Sequence, residues 1–231
     1  MKSDLHLSVT HLALTNEIQM RDGRLYPVHR IYCVGRNFAT HAREMGGRPD
    51  RELPFFFTKP ADAATQSSKI PYPPATEELH HEVELVMAIG QKGIDIPVSK
   101  ALDHIYAYAV GVDLTRRDIQ RQAKKLGRPW DMAKGFDYSA PVSKLVPAAE
   151  VGDASHLEIS IIVNDQQRQH GNTNQMIWNL AEIISVLSSL VTLQAGDLIF
   201  TGTPEGVGSL VKGDEVVAEV AKLPKLSFRV V

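Results

Sequence analysis

Between Leu79 and Gly90 the chain alternates as a β-strand does. Val83, Leu85, Met87 and Ile89 fall on one face, and His80, Glu82, Glu84, Val86 and Ala88 fall on the other. A second alternating run covers Ile105 to Asp113. Tyr106, Tyr108, Val110 and Val112 share one side, and Ala107, Ala109, Gly111 and Asp113 share the other. The small residues beside Asp113 leave room for something to approach closely, as a bound ion and ligand require. Arg30 to Gly35, Phe55 to Thr58 and Leu157 to Asn164 also read as strands. Helices are predicted over Phe38 to about Met45, with Asn37 as N-cap and Gly46-Gly47 as the stop, and over Val98 to His104. Two more are predicted over Arg116 to Lys125, between Thr115 as N-cap and Gly127, and over the apolar stretch Trp178 to Leu190. The polar run 46–54, with two glycines and two prolines, reads as a mobile loop. Ala195-Gly196-Asp197 and Lys212-Gly213-Asp214 look like tight turns feeding strands. Residues 1–25 read as an N-terminal extension, either a short hairpin or a loose arm, ahead of a single domain over 26–231.

Composition narrows the class. The chain has 231 residues, 43% of them hydrophobic, which is ample for one large core. Its 25 basic and 27 acidic residues nearly cancel, which argues against a nucleic-acid surface or a polybasic membrane patch. Cys33 is the only cysteine, so neither an internal disulfide nor a thiolate metal site can form. No apolar run reaches the ~20 residues of a membrane span, and a cytoplasmic location is the expectation.

The candidate chemistry centres on Glu82, Glu84 and Asp113. Two carboxylates on one strand face repel each other and lose hydration unless a cation sits between them. The alternative is a solvated edge strand with two charges on its wet face. An all-oxygen set suits Mg²⁺ or Mn²⁺, with Ca²⁺ as a crystal stand-in, rather than zinc. His80 and His81 flank the set without zinc-protease spacing, as neighbours of the ligands or as structural groups. His41 and Glu44, three apart on a predicted helix, suit a base and its orienting carboxylate, or else form an exposed pair. The Gly-rich run Thr201 to Gly208 is no P-loop. It reads as a backbone cradle for a carboxylate or oxyanion, or as an ordinary turn.

Six segments in this order resemble the fumarylacetoacetate hydrolase family: GRNFATHAREMG (35–46), FFFTKPADA (55–63), LHHEVELVMAIG (79–90), GVDLTRRDIQ (111–120), RPWDMAKGFD (128–137) and LIFTGTPEGVG (198–208). The resemblance covers about residues 30–231 and departs from the family pattern at none of the site positions. It implies an α+β fold, a β-rich mixed roll of sandwich type with peripheral helices, in a homodimer. It implies Glu82, Glu84 and Asp113 as metal ligands, His41 and Glu44 as a water-activating dyad, and Lys134 as a catalytic cation. Arg36, Arg117, Gln120 and Thr203 become substrate contacts, with Arg117 and the loop 46–54 facing a distant carboxylate. The implied reaction is metal-dependent hydrolysis of a carbon–carbon bond in a 2,4-diketo acid, a small-molecule substrate, with fumarylpyruvate of gentisate breakdown as the best match. Oxaloacetate decarboxylation and the isomerase/decarboxylase step of homoprotocatechuate breakdown are its neighbours. A non-catalytic binding protein is opposed by His41 and Glu44, since a binder needs no base.

Overall fold

The computed structural model describes residues 16–38 and 52–231. The expected helix from Phe38 to Met45 and most of the loop 46–54 fall largely outside them, as do His41 and Glu44.

Two sheets build the body. The larger runs, in spatial order, Val146–Pro147, Ile105–Val112, Val83–Ile89, Leu198–Phe200, Ile31–Gly35, Phe55–Lys59. The other runs Gln166–Asn172, Glu158–Val163, Glu215–Val220, Leu226–Val230, Lys69–Ile70. Both are mixed, because Leu198–Phe200 pairs parallel with Ile31–Gly35 and Leu226–Val230 pairs parallel with Lys69–Ile70. The sheets face each other across one core. Leu85, Met87, Val110 and Val112 of the first meet Ile159, Ile161, Val216 and Ala218 of the second.

The opposite face of the larger sheet is covered as well. Val86, Ala88, Ala107, Ala109 and Phe200 pack with Ile18, Met20, Tyr26 and Val28, which belong to an antiparallel hairpin of Asn16–Gln19 and Leu25–Val28. Burial on both sides explains why every residue of Val83–Ile89 is buried although the sequence alternates. It also changes the reading of the small residues near Asp113. A Cβ on Gly111 would lie 2.5 Å from both Phe200 and Val86. The space beside Gly111 is occupied by core side chains rather than kept for a ligand.

Two expected elements differ in detail. The run 79–90 is not one strand. Leu79–His81 joins a small sheet between Thr115–Arg116 and Gly208–Leu210, and Val83–Ile89 joins the large one, with Glu82 at the break. In Ile105–Val112 the alternation slips near its start. Ala88 faces Ala107 but Ile89 faces Ile105, so Tyr106 is an extra, bulged residue. Its ring stacks on Tyr26, 6.1 Å between centroids, away from Tyr108.

The helices are peripheral. Arg117–Leu126 ends at Gly127, whose φ of 62° is left-handed. Its N-cap is Arg116 rather than Thr115, which is committed to a strand and to the site. Leu180–Leu190 starts with a capping box between Asn179 and Glu182 and sets Ile183, Ile184 and Leu187 into the core. Asn37 uses its side chain as a clasp: the amide donates to the carbonyls of Trp178 and Thr201 and accepts from the Trp178 N–H. The two expected turns share one device. Asp197 accepts from the N–H of Gln194, and Asp214 from that of Val211.

Candidate active site

The strand break at Glu82 and the end of Ile105–Val112 bring the three carboxylates together. The Asp113 N–H donates to the Glu82 carbonyl at 2.8 Å, so the two residues sit side by side where their strands part. One carboxylate oxygen from each of Glu82, Glu84 and Asp113 lies within 4.8 Å of the others, and all three residues are buried. The solvated edge-strand reading is thereby excluded.

Cations hold two of the three. The Lys134 ammonium, at the end of the short helix Asp131–Lys134, donates to Glu82 Oε2, Asp113 Oδ2 and the Thr115 hydroxyl, each at 2.7 Å. Burial pulls its pKa down, but Asp113 and Glu82 outweigh burial and hold it above the usual lysine value. Arg117 reaches Glu82 Oε1 at 2.5 Å and Gln120 at 2.6 Å. Lys59, which the sequence reading did not single out, lies 2.8 Å from Asp113 Oδ1 and donates to the carbonyls of Leu114 and Lys134. Its signal was a charge ending the apolar strand Phe55–Lys59, with 3% of its surface exposed.

Glu84 is different. Among the described residues it makes no ion pair, and its Oε2 accepts the Gly202 N–H at 2.7 Å. Burial, then Asp113 and Glu82, push its pKa well above the usual carboxylate range. Asp113 Oδ1, close to Lys59, still lacks an aligned hydrogen bond. A buried acid without a cation and an acceptor without an aligned donor are what a hard divalent ion would satisfy. The donor set therefore fits Mg²⁺ or Mn²⁺.

The Gly-rich turn acts through its backbone. Gly202 has a φ of +99°, and a Cβ there would lie 2.6 Å from the Cβ of Asn37. Its N–H cradles the protein's own Glu84. Thr203 is fixed by Gln169, whose amide donates to the Thr203 hydroxyl and the Pro204 carbonyl, each at 2.8 Å. The Gln169 carbonyl oxygen accepts from the Val83 N–H and lies 2.9 Å from His81 Nδ1. Gln169 thus ties the turn to the carboxylate strand; sequence reading missed it, because its only signal is a buried amide in a polar hairpin strand. Burial lowers the pKa of His81. At His80, burial and Arg117 bring it down to about 4. Both shifts favour the neutral imidazole.

Above the trio lies a cleft lined by Arg36, Arg117, Gln120, Lys134, Thr203, Glu82 and Glu84. The structure thus brings together every described site residue named from the sequence, with Asp113 at the floor beneath Lys134. It adds Phe57, Lys124 and Trp130 to the walls.

The chain matches the family model for the fumarylacetoacetate (FAA) hydrolase C-terminal region over residues 30–231. It is 44% identical over 204 residues to oxaloacetate tautomerase FAHD1, mitochondrial, of Arabidopsis thaliana, covering 87% of this chain and 90% of that protein. The Homo sapiens protein of the same name is 42% identical over 201 residues, with the same coverage. Among solved structures, the fumarylpyruvate hydrolase of Pseudomonas aeruginosa in complex with Mn²⁺ and pyruvate superposes with a TM-score of 0.92. It is 47% identical, over 94% of this chain and 96% of that one. On sequence and fold together, the chain belongs to the fumarylacetoacetate hydrolase family.

Proposed function

We propose that this chain hydrolyses the carbon–carbon bond of a 2,4-diketo acid, with fumarylpyruvate yielding fumarate and pyruvate, and that it works as a homodimer. The carrying observation is the buried Glu82–Glu84–Asp113 trio at the floor of a cation-lined cleft. A likeness to the solved structure that holds Mn²⁺ and pyruvate, one product of this reaction, supports the substrate.

Glu82, Glu84 and Asp113 would hold Mg²⁺ or Mn²⁺. The ion, when bound, supplies Lewis acidity toward the oxygens of the 2-oxo acid. His41, oriented by Glu44, takes a proton from water, and the oxygen adds to the C4 carbonyl. The C3–C4 bond then breaks, its electron pair forming the pyruvate enolate, which is protonated at C3. The other fragment leaves as a carboxylic acid. The Lys134 ammonium places a fixed positive charge beside the developing enolate in a site of low dielectric. Arg117, itself bonded to Gln120, keeps Glu82 in place, and Thr203 lines the cleft.

A second reading is favoured by the relatives named oxaloacetate tautomerase. It shares the enolate but needs only a proton shift at C3 and no attacking water. ¹H NMR with Mn²⁺ and fumarylpyruvate, acetylpyruvate or oxaloacetate in parallel separates the two. Hydrolysis predicts fumarate and pyruvate in equal amounts, and His41→Ala should slow their appearance by roughly 10²–10⁴. If only keto–enol exchange of oxaloacetate is accelerated, the tautomerase reading takes its place.

A further inference from the structure

The cleft has two electrically distinct ends. Its floor holds the three buried carboxylates and their partners Lys134 and Arg117. Its mouth is formed by Lys124, half-buried on the helix Arg117–Leu126, and by the exposed Arg36. Arg117 is already bonded to Glu82 and Gln120, with 7% of its surface exposed, so its guanidinium serves the floor.

At the mouth, by contrast, charge is unbalanced. Among the described residues no carboxylate pairs with Lys124 or Arg36. Each lies over a ring instead: Lys124 is 5.0 Å from the centroid of Trp130, and Arg36 is 5.9 Å from that of Phe55. Trp130 and Phe55 meet edge to face, so the two cations flank one aromatic wall. A ring face steadies a cation but does not neutralise it. We propose that Lys124, with Arg36 beside it, forms an anion site at the mouth of the cleft that takes the second carboxylate of a diacid. The chain would then prefer dicarboxylic over monocarboxylic 2-oxo acids. This rests on the reading that the 2-oxo acid end binds at the carboxylate trio.

The environment of Lys124 agrees with a missing anion. Burial, then Arg117 and Arg36, bring its pKa down to about 8, with Glu82 opposing them and Lys134 adding to them. A bound carboxylate would relieve that repulsion. Phe57 and Trp130 supply an apolar wall for the carbon chain between the two ends. Both readings of the reaction involve diacids, since fumarylpyruvate and oxaloacetate each carry a second carboxylate.

The test uses two seven-carbon ligands that lack the C4 carbonyl and are not hydrolysed: 2-oxoheptanedioate and 2-oxoheptanoate, identical but for the terminal carboxylate. Each is titrated calorimetrically into the full Mn²⁺-loaded chain, with oxalate as a head-group probe. The wild type should favour the diacid by roughly 10- to 100-fold, the worth of a charge-assisted hydrogen bond. Lys124→Met should bring that ratio toward one and Lys124→Arg should restore it. Thermal melting and oxalate affinity check that each variant is folded with its floor intact. A wild type without diacid preference, or a Lys124→Met variant that keeps it, overturns the inference. So does an equal loss for both ligands, which would make Lys124 a general electrostatic contributor. If oxalate itself fails to bind, the reading of the trio falls and the inference falls with it. If the ratio behaves as expected while fumarylpyruvate is not cleaved, the anion site stands and only the hydrolase reading is lost.

Discussion

Glu84 concentrates the chemistry of the site in one side chain. It is buried beside two other carboxylates, without a cation of its own among the described residues, and its Oε2 accepts the Gly202 N–H. Glu84→Gln should weaken Mn²⁺ binding by on the order of 10²-fold or more, read by calorimetry. The same change should raise the melting temperature of the metal-free protein, because it removes a buried acid whose ionised form is disfavoured by burial and by its carboxylate neighbours. Unchanged ion affinity would remove Glu84 from the ligand set. Lys124 allows a pH prediction. Its folded pKa of about 8 lies below the 10.5 of an ordinary lysine, so the unfolded chain binds more protons between those values. Stability should therefore climb as pH rises from about 8 toward about 10.5 and carry the full penalty below about 8. Lys124 is half-exposed, so the gain is on the order of 1 kcal/mol rather than the full shift. Urea unfolding of wild type against Lys124→Met at about pH 7 and about pH 10 isolates the contribution, which the variant lacks. Cys33 has no such role: burial pushes its thiol well up, as expected of a small core residue.

At the scale of elements, the site depends on where strands stop. Had 79–90 continued as one strand, Glu82 would have stayed in a ladder; the break sets it beside Asp113. Gly111 pairs with Glu84 across the ladder and underlies Phe200, whose strand leads into Gly202. Gly111→Val should cost about 1–3 kcal/mol by overpacking. It should also weaken Mn²⁺ binding, since any shift of Phe200 moves the N–H that holds Glu84. Chemical denaturation and ion titration on the same variant check both effects; a stable variant with full affinity would show that Phe200 yields without moving the turn.

Across the whole molecule, one core lies between the sheets and a second lies beneath the larger sheet, and the cleft lies at the strand ends rather than within either core. Stability and ion binding should therefore separate. Ile161 has 0% exposure, packs in the inter-sheet core and lines no part of the cleft. Ile161→Ala should cost about 2–5 kcal/mol while leaving the Mn²⁺ affinity of the folded protein unchanged. No helix among the described residues is long and apolar enough to cross a membrane.

Alternation determined the faces of Val83–Ile89 and most of Ile105–Val112, because side-chain direction has a strict period of two along a strand. Glycine and aspartate chemistry determined the stop at Gly127 and the turns at Asp197 and Asp214, because those signals act within a few residues. Strand faces singled out the carboxylate trio, and the order of the six segments was enough to recognise the family, which implied the same three residues as ligands. Only the tertiary structure decided that Thr115 bonds Lys134 instead of capping a helix, that Lys59 and Gln169 brace the site, and that the small face near Asp113 packs against Phe200. These contacts join residues far apart in the chain, 19 positions for Thr115 with Lys134, 75 for Lys59 with Lys134 and 86 for Val83 with Gln169. Local propensity carries no information about such pairs, because the free energy of burying a charge depends on which partner the folded chain delivers to it.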